Sequence, residues 1–110
     1  MHLSKLLEGV RVTKLYQTMF GRMVVTHDVE VHAIQYDSRK VSHNDCFVAV
    51  RGTGVDGHRF ISEAINKGAK VVVIEDDNAF PDSLAMHTGV VKAVIQDSRK
   101  ASWGLNSSRT

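Results

Sequence analysis

Two short stretches of this 110-residue sequence carry the residue types that ligand chemistry needs. The first is Arg51-Gly52-Thr53-Gly54-Val55-Asp56-Gly57, with three glycines in six positions. Glycine lets backbone N–H groups approach a ligand closely, and the start of a following helix favours an anion, so a diphosphate fits there. The same glycines also serve a tight turn between strand and helix, with Asp56 as a cap whose charge discourages a phosphate beside it. The second stretch is Tyr36-Asp37-Ser38-Arg39. Tyr36 offers a ring that can lie on a base, Ser38 a hydroxyl donor and Arg39 a cation. As plain structure it is a solvated turn in which Asp37 bonds its own backbone.

Other chemistries lack their residues. The sequence holds no Gly-x-x-x-x-Gly-Lys-Ser/Thr loop for ATP, no Gly-x-Ser-x-Gly elbow, and no Cys-x-x-Cys or His-Glu-x-x-His spacing. The six histidines are scattered, so a metal site would need ligands converging from distant loops. The residues therefore point to no catalytic group and no metal ligand in this chain.

The two loops need a scaffold, and the sequence patterns describe one. Ser4 caps a short helix carrying Leu6 and Leu7 that stops at Gly9. Val10, Val12 and Leu15, then Met23-Val24-Val25, read as short strands broken near Gly21. Glu30 to Tyr36 alternates as a strand does and runs into the 37–40 loop. After the turn-forming Ser42-His43-Asn44-Asp45, the apolar run Cys46–Val50 has the composition of a strand buried on both faces. The glycine loop follows, then a helix with Phe60, Ile61, Ala64 and Ile65 on one stripe, ended by Gly68. Lys70–Ile74 is a second buried strand, succeeded by an acidic irregular stretch from Glu75 to Asp82. Val90–Ile95 is the last strand, and Asp97 or Ser98 caps a terminal helix with Ala101, Trp103 and Leu105. Strand, glycine loop, helix and strand across 45–75 form a βαβ unit with parallel pairing. The expected fold is a small α/β sheet with helices in one domain.

Composition narrows the partners. Fourteen basic and twelve acidic residues give a net charge of +2, with no basic stripe, which argues against nucleic acid. No apolar stretch approaches the roughly 20 residues that span a bilayer, and the N-terminus lacks a signal-peptide pattern. The single cysteine, Cys46, reads as a buried small hydrophobe and suits a reducing compartment. The expected location is cytoplasmic, with no membrane partner.

Taken in order, Leu3-Ser4-Lys5-Leu6-Leu7-Glu8-Gly9-Val10, Tyr36-Asp37-Ser38-Arg39-Lys40-Val41, Asp45–Gly52 and Val55-Asp56-Gly57-His58-Arg59-Phe60-Ile61 resemble the N-terminal domain of the Mur ligases. The resemblance runs from about residue 3 to about residue 102 and is nearest the UDP-N-acetylmuramoyl-tripeptide synthetase type. Each motif is loose alone, and their succession is specific. In that family the first domain binds the UDP end of UDP-MurNAc-L-Ala-D-Glu. The resemblance implies substrate contacts from Tyr36 and Ser38 and from Thr53, Gly54 and Val55. Tyr36 would pack near the uracil, Ser38 would supply a hydroxyl bond, and the glycine loop would supply backbone contacts. Asp37, Arg39 and Asp56 would hold the loops, and His58 is an outlying candidate for the diphosphate. Asn44 before Asp45 and Cys46 after it depart from the usual pattern. The implied partners are UDP-N-acetylmuramoyl-dipeptide and, in cis, a central ATP-binding domain and a C-terminal domain. The sequence stops at Ser107-Ser108-Arg109-Thr110, before either of these. ATP and magnesium are implied for the full ligase and no cofactor for this chain, which is expected to bind and not to catalyse. The alternatives are the first domain of the sister ligase that adds D-Ala-D-Ala, and a stand-alone binding module without catalysis.

Overall fold

The computed structural model describes residues 2–19, 21–26, 28–49 and 57–96. In chain order these form α1 (Leu3–Leu6), β1 (Val12–Met19), β2 (Arg22–Val25), β3 (Ile34–Gln35), β4 (Cys46–Val48), α2 (Gly57–Asn66), β5 (Val71–Ile74), α3 (Asp82–Thr88) and β6 (Val91–Ile95). Short 3-10 turns occupy Ser38–Lys40 and Asp77–Ala79. The six strands make one sheet in the order β2-β1-β6-β5-β4-β3.

The apolar runs explain the centre of this sheet. β4, β5 and β6 are buried at every position, as continuous Val/Ile-rich strands must be when both faces are covered. They pair in parallel, with Cys46 opposite Val71 and Val71 opposite Val91. Side chains alternate between faces. Phe47, Val72, Ile74 and Val94 pack with Ile61 and Ala64 of α2 and with Phe80 and Ala85. Cys46, Val48, Val71, Val73, Val91, Ala93 and Ile95 pack with Leu3, Leu7 and Val31 on the other face. The βαβ unit expected over 45–75 is present.

Elsewhere the structure departs from the sequence reading. The cap expected of Ser4 is absent: helix α1 starts at Leu3 with His2 before it, and the Ser4 amide donates instead to Asp28 Oδ1 at 2.8 Å. Only Ile34 and Gln35 of the alternating 30–36 stretch form a strand, and Glu30 makes an isolated antiparallel bridge to His2. Beyond the acidic stretch Glu75–Asp82, a helix that the sequence pattern does not announce, α3, spans Asp82–Thr88. Pro81 precedes α3 as its N-cap, and Gly89 ends the helix at φ +76°, a left-handed C-cap. The capping role of Asp56 and the helix expected after Asp97 lie outside the described residues.

Candidate functional site

β3, β4, β5 and β6 are all parallel, so their carboxyl ends share one edge of the sheet. Ligands of open α/β sheets sit at that edge. The stretch 36–40 leaves it from β3. The glycine-rich segment joins the neighbouring strand β4 to α2, and its Thr53, Gly54 and Val55 lie outside the described residues.

Tyr36 is 40% exposed, a ring presented at the surface. Partial burial, and after it the nearby Cys46, pushes the Tyr36 phenol up to about 12, so it keeps its proton at neutral pH. Asp37 caps the 3-10 turn by accepting the Arg39 amide at 3.0 Å, and its carboxylate also takes Arg39 Nε at 3.0 Å and Nη2 at 2.9 Å. Those Arg39 side-chain bonds first, and the backbone bond second, hold the Asp37 carboxyl down at about 2. The loop-holding role expected of Asp37 and Arg39 is thus what their geometry gives.

Ser38 differs from a free hydroxyl donor. It is 3% exposed, and its Oγ donates to Glu63 Oε1 on α2 at 2.5 Å. The proton that the sequence reading offered to a ligand is already placed on a carboxylate. Glu63 is 25 residues away in sequence, and no motif marks it. Tyr36 and Ser38 therefore share one short loop pinned to α2 by Glu63.

Below the loop, the Ser42–Asp45 turn is built around a buried aspartate. Asp45 is fully buried; Oδ2 accepts from Ser42 N at 2.8 Å and Oγ at 3.3 Å, and Oδ1 meets His32 Nδ1 at 3.1 Å. Asn44 takes φ +68° in this turn, a conformation asparagine tolerates better than most residues. Cys46 beyond it is fully buried, and desolvation raises its thiol to about 12, so it is a core residue rather than a nucleophile. A cleft of about 360 Å³ lined by Glu30, Val31, His32, Asn44 and Lys70 opens at the opposite, amino-terminal end of the parallel strands.

The pattern of the Mur ligase family, catalytic domain, matches residues 30–103. The chain belongs to the Mur ligase family. Its similarity to a UDP-N-acetylmuramoyl-L-alanyl-D-glutamate--2,6-diaminopimelate ligase of Clostridium perfringens is 36% identity over 92% of the chain. With the ligase of the same description from Clostridium tetani it is 42% over 67% of the chain. The chain spans 18% and 15% of the lengths of these two Mur ligases. Among solved structures, MurF from Acinetobacter baumannii superposes with a TM-score of 0.51 at 25% identity, over 69% of this chain and 15% of that one. That likeness supports the α/β Mur-ligase fold. Among the described residues, no helix is long and apolar enough to cross a membrane.

Proposed function

We propose that this chain is the nucleotide-binding first domain of a Mur ligase. It holds the UDP end of UDP-MurNAc-L-Ala-D-Glu while the remainder of the ligase adds the third, diamino acid residue of the peptidoglycan precursor. The observation that carries this reading is the placement of the Tyr36–Ser38 loop and the β4–α2 connection on adjacent parallel strands. Loops at the carboxyl ends of neighbouring parallel strands suit a nucleotide diphosphate. The relatives' names supply the substrate and the 2,6-diaminopimelate to which a ligase joins it.

In this reading Tyr36 lies against the base, Ser38 contacts it, and Thr53, Gly54 and Val55 meet the diphosphate through backbone groups. The reaction itself is ATP-dependent formation of an acyl phosphate, then attack by an amine. The residues of this sequence do not fit ATP and magnesium, because it has no lysine-bearing phosphate loop. We place those groups in the remainder of the ligase and the protein in the cytoplasm. The sister reading, a domain of the D-Ala-D-Ala-adding ligase, is favoured by the solved MurF structure. The names of the sequence relatives favour the tripeptide-forming enzyme.

The test is a titration of the 110-residue chain with UDP, UDP-MurNAc-dipeptide and ADP, followed by amide NMR shifts. Shifts at Tyr36–Ser38 and Gly52–Asp56 with the uridine ligands alone are expected. An equal response to ADP refutes the uridine assignment.

A further inference from the structure

A serine hydroxyl has one proton to give and two lone pairs with which to accept. Ser38 has given its proton to Glu63 Oε1 at 2.5 Å. A hydrogen bond from a hydroxyl to a charged acceptor is roughly twice as strong as a neutral one. A ligand carbonyl therefore does not win this proton. With its proton placed on Glu63, the Ser38 oxygen meets any further partner with its lone pairs, as an acceptor. The neighbouring guanidinium of Arg39, paired with Asp37, also feels the Glu63 charge.

We infer that Glu63 is a positioning residue that fixes the polarity of the nucleotide contact, making Ser38 an acceptor that selects a base with a ring N–H. This rests on the reading of the 36–38 loop as the nucleotide site. Uracil carries a ring imide N–H, whereas cytosine has a bare lone pair at the same ring position. Against an acceptor-only Ser38 the first makes a bond and the second faces lone pair with lone pair. The choice of uridine over cytidine is then made on helix α2, by a residue that does not touch the ligand. Removing the carboxylate frees the serine proton, which lets Ser38 donate to cytosine as readily as it accepts from uracil.

The experiment compares UDP and CDP titrations, by amide NMR, of the parent chain, Glu63→Ala, Glu63→Gln and Ser38→Ala. The parent is expected to prefer UDP by about 10-fold or more, the size of effect that follows from one mismatched polar contact. Glu63→Ala is expected to narrow that preference to about 2-fold, chiefly by tightening CDP. Glu63→Gln keeps an acceptor oxygen for the Ser38 proton and is expected to restore the preference relative to alanine. A Glu63→Ala chain that keeps the parent's ratio, or that loses both nucleotides equally, overturns the inference and leaves Glu63 a loop brace. A parent chain with no UDP shifts at Tyr36–Ser38 overturns the nucleotide site itself, and this inference with it. The dispersion of each variant's amide spectrum separates a change in selectivity from a failure to fold.

Discussion

Ser38 and Cys46 show how the surroundings decide what a reactive atom does. Both are buried, yet Ser38 faces a carboxylate and Cys46 faces hydrocarbon. Replacing Ser38 with alanine removes the candidate ligand contact and is expected to weaken UDP-MurNAc-dipeptide binding about 3- to 10-fold, the worth of one net hydrogen bond. Isothermal titration reads it; an unchanged affinity removes Ser38 from the site. Cys46, with its thiol raised to about 12, is almost wholly un-ionised at pH 8. An aromatic disulfide reagent is expected to leave it unmodified in buffer and to label it fully in urea. Prompt labelling in buffer would mean that strand β4 opens far more readily than its burial implies.

At the scale of elements, the stability of the loop region depends on turns that admit few residues. Gly68 ends the α2 segment at φ +103°, and a Cβ built there would stand 2.9 Å from His43 Cα. Gly68→Ala therefore meets both a left-handed backbone and a clash with main chain, and is expected to cost about 1–3 kcal/mol in urea unfolding. A near-neutral result would show that the 42–45 turn shifts without cost. The same elements show what the sequence could reveal. β4, α2 and β5 were legible because a continuous apolar run, a helical stripe and a terminating glycine each answer to local rules. Helix α3 was not: at seven residues, with Ala85 its one fully buried side chain, it leaves too faint a periodic signal. Its position is fixed by Phe80 and Ala85 entering the core. The 30–36 strand was overread because alternation persists where the backbone pairs for two residues only. The loop residues Tyr36 and Ser38 could be picked out by type, but Glu63 could not, since only folding brings it beside residue 38.

Across the whole molecule, one buried charge joins separate layers. Lys92 in the middle of the sheet is fully buried, and its ammonium donates to Asp77 and, at 2.8 Å, to Asp82 Oδ1. Lys14 of β1 meets the same pair at 2.7 and 3.5 Å. Changing Asp77 and Asp82 together to asparagine strands the Lys92 charge and is expected to cost about 3–5 kcal/mol. Lys92→Met leaves two aspartates that still reach water and Lys14, and should cost less. Equal losses would show that the cluster acts by shape alone. The pH dependence has two edges. Asp37, held at about 2 against an ordinary 3.8, contributes stability that is complete above the higher value and lost as pH falls toward the lower. Bonds from Lys14 and then Lys92 hold Asp77 low, and a bond from Lys92 first holds Asp82 low, so both act in the same direction. Cys46, raised from 9.0 to about 12, must keep a proton that the unfolded chain releases, so stability falls as pH climbs through that interval. Thermal melts from pH 2 to 11 are expected to show a plateau bounded on both sides.

The strand order also bears on how this chain is made. β6 lies between β1 and β5, so Leu15 finds its partner in Ala93. Until the ribosome has released residues 91–95, the β1–β2 hairpin has no sheet to join, whereas β4, α2 and β5 already form a local unit. Closing so long a loop is slow compared with local pairing. Synthesis therefore leaves the hairpin, with Val25 exposed on the outermost strand, waiting for the last strand to arrive.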